Sequence, residues 1–207
     1  TLAENKHNVL IYSRNNRTVE NINKNHINSK YFSDYKLSPL IRATNDIIKS
    51  IQYSDTIIFA IPTHATRIIS NKINPYLRNN SVIISTAKGI EEDSYLRNSQ
   101  IIYNTTDINK LAVLSGPTHS EEVIKGVPSA AVIASEKKQL AEDIQQLFMS
   151  STFRVYSHSD VTGVELGGAV KNIIAIAAGI ADGLGYGDNT RAALITRGLS
   201  EMSRLGI

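Results

Sequence analysis

The stretch Val164-Glu165-Leu166-Gly167-Gly168-Ala169-Val170-Lys171-Asn172 sets two adjacent glycines just ahead of a lysine, and a run of apolar residues follows. Glycine inside a helix costs about 1 kcal/mol relative to alanine. A pair of them therefore implies close approach of another backbone or of a cofactor. An ammonium against an apolar wall gives up its proton more readily, which is how lysines become acid/base groups. A lysine that snorkels to solvent would also satisfy this position. The glycine pair favours the chemical reading, and Lys171 is the candidate acid/base residue.

Four further patterns carry polar groups at turns. Ser85-Thr86-Ala87-Lys88-Gly89-Ile90-Glu91 leaves a short apolar run, and a lysine there can meet a phosphate or polarise a carbonyl, although a surface lysine in a turn reads the same way. Ser115-Gly116-Pro117-Thr118-His119-Ser120 leaves another such run. Gly116 permits close backbone approach, and Thr118 and Ser120 place hydroxyls where a helix begins, either as an anion site or as an ordinary capping box before Glu121-Glu122. Tyr12-Ser13-Arg14-Asn15-Asn16-Arg17 ends the first apolar run without an acidic residue. In dinucleotide sites an acid at this place holds the ribose hydroxyls of NAD, whereas an arginine suits the 2′-phosphate of NADP. Arg14 leans toward NADP, and a solvated loop would also explain it. Asp182-Gly183-Leu184-Gly185-Tyr186-Gly187-Asp188-Asn189-Thr190 has the wrong spacing for a calcium loop and reads as a turn, with Asp188 or Asn189 capping the next helix. No metal site is expected.

The elements that must position these groups alternate. Apolar runs at 7–13, 55–61, 81–85, 111–115, 130–134 and 153–156 read as strands. Helical spacing occurs at 43–50, at 65–77 with Ile68, Ile69 and Ile73 facing inward, and at 139–149. Residues 14–36 are polar and asparagine-rich and resist subdivision. Strands apolar on both faces and alternating with helices specify an α/β fold with a doubly wound, Rossmann-like sheet. From residue 161 onward the pattern is wholly helical. Two domains are therefore expected, a dinucleotide-binding domain over residues 1–160 and the start of an all-helical domain over 161–207.

The chain of 207 residues has 42% hydrophobic and 20% charged residues, a net charge of +3 and no cysteine. These values describe an ordinary globular protein, rule out thiolate metal centres and disulfide scaffolds, and give no dense basic tract for nucleic acid. The greasiest stretch, residues 173–181, is about half the ~20 residues of a membrane span and reads as a buried helix. A soluble, cytoplasmic protein is expected. The first residues resemble the last turn of a helix, so the strand and glycine-rich turn that should open a dinucleotide fold are expected to lie outside the sequence. Helical periodicity continues to residue 207 without a stop signal. A polypeptide lacking both ends is expected to have little or no activity. The apolar face expected on 190–207 favours association, a homodimer being compatible with it.

Taken together, Ala87-Lys88-Gly89-Ile90-Glu91, Leu114-Ser115-Gly116-Pro117-Thr118, residues 163–172, Asp182-Gly183-Leu184-Gly185 and residues 193–199 resemble, in order, the bacterial-type NAD(P)-dependent glycerol-3-phosphate dehydrogenases. The resemblance implies hydride transfer between sn-glycerol 3-phosphate and dihydroxyacetone phosphate with NADP or NAD, feeding phospholipid synthesis. It implies that Lys171 shuttles the proton on the C2 oxygen and that Lys88 contacts cofactor and substrate. Gly116, Thr118 and Asn172 are implied at the substrate, and Ser120 and Arg14 at the cofactor. A 6-phosphogluconate or hydroxyacyl-type dehydrogenase, or a non-catalytic remnant, would share the two-domain plan.

Overall fold

The computed structural model describes residues 1–205. Its strands are β1 (Val9–Tyr12), β2 (Ile27–Asn28), β3 (Phe32–Lys36), β4 (Ile41–Thr44), β5 (Thr56–Phe59), β6 (Val82–Ser85), β7 (Leu111–Ser115), β8 (Ser129–Ala134) and β9 (Phe153–His158). Its helices are α1 (Asn16–Asn25), α2 (Ile47–Tyr53), α3 (Thr63–Ile73), α4 (Asn98–Thr105), α5 (Ser120–Ile124), α6 (Lys138–Phe148), α7 (Val161–Gly183) and α8 (Asp188–Leu205).

Strands β5 to β9 form one sheet in chain order. β5, β6 and β7 are parallel, β8 runs antiparallel to β7, and β9 is parallel to β8. Alternation along the strands puts Ile83, Leu111, Val113 and Ala134 on one face with Ile47, Ile51, Ile73 and Ile102. Ile84, Ala112 and Ile133 face the other way, onto Ile144 and Phe148 of α6. Both faces are covered, as the unbroken apolar runs require. This is a Rossmann-like α/β sheet followed by a helical segment.

β1 and β4 pair in parallel as a separate ribbon. Between β1 and β5 lies a cavity of about 590 Å³, walled by Val9, Ile11, Ile57, Phe59, Ile73 and Leu147 among others. β4 and β1 stand on one side of it, β5 and β6 on the other.

Several local expectations change. Residues 43–44 belong to β4, and α2 starts only at Ile47, where the Asp46 carboxylate accepts from the amides of Ile48 and Lys49 at 2.9 and 3.1 Å. That cap fixes the start four residues later than spacing alone suggests. Ile68 is 69% exposed, because α3 turns Thr66, Ser70 and Ile73 inward instead. Helix α3 also stops at Ile73, passing into a short 3-10 turn over Asn74–Tyr76. Residues 14–36 resolve into α1 and the β2–β3 hairpin, and α4 has no counterpart among the expected elements.

Helix α7 runs 23 residues, long and apolar enough by length and composition to cross a membrane. Its contacts are those of a helix docked on the sheet: Val161 joins the core, and Glu165 is buried against α4. Of the burial expected for residues 173–181, Ala181 makes it, whereas Ile173, Ile176 and Ile180 are exposed. α8 folds back on α7, its Gly198 packed where a Cβ would lie 2.6 Å from Ile174 Cδ1. The turn between them places Gly185 at φ +73° and is closed by Arg191, which pairs with Asp182 and Asp188. Asp188 falls in the first turn of α8. The helical periodicity expected as far as residue 207 can be followed to Leu205, and Gly206 and Ile207 lie outside the described residues.

Candidate active site

Two parallel-strand ends and one helix build the site. Lys88 follows β6, Gly116 and Thr118 follow β7, and Lys171 projects from α7. The helix reaches the strand end because Gly168, on the same face one turn before Lys171, has no side chain. A Cβ there would lie 2.6 Å from Ser115 Oγ and 3.8 Å from Lys88 Cγ. Gly167 has only an ordinary contact, 4.0 Å from Met202 Cε. Of the glycine pair, Gly168 is thus the one that close approach demands.

Lys171 Nζ donates to the Gly116 carbonyl at 2.9 Å, and the Thr118 amide donates to the same oxygen at 3.0 Å. The Lys88 amine stands beside that of Lys171. Partial burial, and then the like charge of Lys171, push it below the ordinary lysine value. Lys88 is thus a lysine at which burial and a neighbouring like charge act together. Neither lysine forms an ion pair with a carboxylate among the described residues. Two adjacent cations without a counter-charge suit an oxygen-rich, anionic ligand.

Asn172 is exposed on the next position of α7. Ser120 begins α5, a helix of five residues, and its Oγ donates to Glu121 at 3.1 Å. Of the two readings of this turn, the capping box is not formed: no side chain caps α5, and His119 stands at the cap position. Arg14 is exposed after β1, on a strand that does not pair with β6 or β7. The structure therefore brings together Lys171, Lys88, Gly116 and Thr118, sets Asn172 and Ser120 at their margin, and leaves Arg14 on another strand.

Sequence reasoning passed over the residues that hold the site. Glu165, 5% exposed, accepts from the Ser99 amide and Oγ at 2.7 and 2.6 Å and from Arg97 at 2.6 Å. A glutamate between Val164 and Leu166 at the start of an apolar helix was the available signal. Arg67 grips Glu91 at 2.6 Å beyond the Lys88 loop, and with Ser94 it holds that carboxyl down from 4.5 to about 2.

Two expected results arise here. A Cβ on Gly116 would lie 2.8 Å from the Ala130 carbonyl oxygen and 2.9 Å from Ala131 Cα, both backbone atoms of β8. Gly116→Ala should therefore cost about 2 kcal/mol of stability, measured by urea denaturation; an unchanged midpoint would show that β8 yields. The second concerns acid. Because the folded pKa of Glu91 is depressed, its contribution is complete above the unfolded value of 4.5 and disappears as pH falls through about 2. Arg67→Ala should flatten the decline of Tm across that window, and identical acid slopes in the two proteins would refute the assignment.

The family model described as "NAD-dependent glycerol-3-phosphate dehydrogenase N-terminus" matches residues 1–141, and its C-terminus counterpart matches residues 160–207. A curated glycerol-3-phosphate dehydrogenase [NAD(P)+] of Halothermothrix orenii is 60% identical over 100% of this chain and 60% of its own length. That of Clostridium acetobutylicum is 46% identical over 100% of this chain and 62% of its own. The crystal structure of glycerol-3-phosphate dehydrogenase from Coxiella burnetii superposes with a TM-score of 0.89 at 34% identity, covering 99% of this chain and 62% of that one. The chain thus spans about 60% of the length of the curated relatives it matches.

Proposed function

Because the chain belongs to the NAD-dependent glycerol-3-phosphate dehydrogenase family, we propose that it carries the lysine-bearing part of an enzyme interconverting sn-glycerol 3-phosphate and dihydroxyacetone phosphate. The observation that carries this reading is the Lys171 amine donating to the Gly116 carbonyl with the Lys88 amine beside it. In the reducing direction the product would feed phospholipid synthesis. The action would be cytoplasmic, where the triose phosphate is made.

The donor set fits a dinucleotide together with a phosphorylated substrate. Arg14, exposed and without an ion pair among the described residues, would meet the adenosine side, with a 2′-phosphate as its natural partner. Ser120 would lie along the cofactor. Gly116, Thr118 and Asn172 would contact the substrate, and Lys88 would reach both molecules. When bound, the nicotinamide supplies or takes up the hydride at C2.

The chain's own residues handle the proton. In oxidation Lys171 receives the proton of the C2 hydroxyl as the carbonyl forms, and in reduction it returns that proton to the C2 oxygen. Its hydrogen bond to Gly116 keeps Nζ at one place between turnovers, and Lys88 adds positive charge beside an oxygen that becomes negative. Residues 1–160 would bind the dinucleotide, and 161–207 would begin the helical domain. The outward Ile195, Leu199 and Leu205 of α8 support association, a homodimer among the forms it could take.

The test is oxidation of NADPH and of NADH by the full reading frame, with dihydroxyacetone phosphate and with unphosphorylated dihydroxyacetone. Turnover with the phosphorylated ketone, faster with NADPH, is the expected result. A folded protein that oxidises neither cofactor in the presence of dihydroxyacetone phosphate would overturn the reading.

A further inference from the structure

Helix α4 begins with three side chains that reach in two directions. Asn98, 1% exposed, donates through Nδ2 to the Gly89 carbonyl at 3.0 Å and to Thr63 Oγ1 at 3.2 Å. Its Oδ1 accepts from Thr66 Oγ1 at 2.8 Å. Gly89 directly follows Lys88 and packs so tightly that a Cβ on it would lie 2.8 Å from Thr63 Oγ1. Ser99 and Arg97 turn the other way, to Glu165 on the same helix as Lys171. Three consecutive residues therefore tie the loop of one lysine and the helix of the other to a single point.

We propose that Arg97, Asn98 and Ser99 are positioning residues that set how Lys88 and Lys171 face each other, Asn98 through the Lys88 loop and the other two through Glu165. The inference rests on the proposed function for what the lysines do, but not for how they are held.

The physical need is plain. Two ammonium groups repel, and their long stems would part if the backbones beneath them could move. A buried amide and a buried carboxylate must keep their partners, because leaving either unpaired is costly, so each tie admits one geometry. The remaining charges nearby are already closed, Arg97 on Glu165 and Arg67 on Glu91. Lys88 is thus left to report the spacing, since after burial it is the neighbouring Lys171 that holds its amine low.

The experiment is an NMR titration of side-chain-labelled lysine in the whole polypeptide, with Lys88 assigned by Lys88→Arg. It compares the parent with Asn98→Ala, Glu165→Gln and Ser99→Ala, and uses Ile102→Val on the same helix as a packing control. Loosening the ties should move the Lys88 titration up toward the ordinary lysine value, while Ile102→Val lowers Tm and leaves the titration in place. Where turnover is measured, kcat should fall roughly 10–100-fold in Asn98→Ala, with KM for the dinucleotide held. Folded Asn98→Ala and Glu165→Gln proteins whose Lys88 titrates as in the parent overturn the proposal, and so does an equal shift in Ile102→Val. Should Asn98→Ala not fold, Ser99→Ala and Glu165→Gln decide alone. A full reading frame without turnover sinks the proposed function, while the titration still judges the positioning.

Discussion

Replacing Lys171 by methionine in the full reading frame is expected to lower kcat by about 10³-fold, in the range that removal of a general acid/base gives. Methionine keeps much of the apolar stem, so the packing of α7 over Gly168 and Ser115 should survive. What it removes is the amine that donates to the Gly116 carbonyl at 2.9 Å. Dinucleotide affinity, followed by nicotinamide fluorescence, should change little, because the proposed adenosine-side contact at Arg14 lies on another strand. Turnover within a few-fold of the parent would take the proton from Lys171. Lys88 would then become the better candidate, since it is the lysine whose amine is held below its ordinary value.

The second large effect concerns stability. Glu165→Ala should destabilise the protein by about 3 kcal/mol, the lower part of the range for breaking a buried ion pair from one side. The side chain of Glu165 is 3% exposed and that of Arg97 20%, so Arg97 can regain some hydration when its partner is removed. The Ser99 amide at the start of α4 has no such relief and would lose its acceptor. A loss of this size is a sizeable part of the 5–15 kcal/mol typical of a whole domain. Urea denaturation should show a lower midpoint with an unchanged slope, and Glu165→Gln, which keeps the shape, should lose less. A midpoint within error of the parent would mean that the Glu165 cluster adds nothing to stability.

The strands after residue 54 and the long helices were legible because their signal is apolar and local. Ile57, Ile83, Ile84, Val113 and Ile133 go to buried positions whichever helix covers them. Lys171, Lys88 and the Ser115–Thr118 turn were legible for a related reason: a glycine pair and polar clusters after apolar runs mark close approaches and strand ends. Helix α4 was not. It carries Ile101 and Ile102 side by side instead of at helical spacing, and its start is capped by Gln100, which accepts from the Arg97 amide at 3.0 Å. Its most telling buried side chains, Asn98 and Ser99, are polar, and polarity is read from sequence as exposure. Ile68 erred in the opposite sense, since helical spacing places it in the same stripe as Ile69 while the docking of α3 turns it outward.

By itself, then, the sequence determined the α/β alternation, the change to helix after residue 160, and which lysines stand beside glycines and strand ends. Those follow from burial of apolar groups and from backbone sterics, which act over a few residues. Only the tertiary structure decided that Lys171 reaches the Gly116 carbonyl with Lys88 beside it, that Gly168 and not Gly167 makes the approach possible, and that a polar helix start ties the Lys88 loop and the Lys171 helix together. Such facts depend on partners distant in the chain, as Lys171 and Gly116 or Ser99 and Glu165 are. A buried polar group is chosen by what it faces, and that is settled only when the chain has folded.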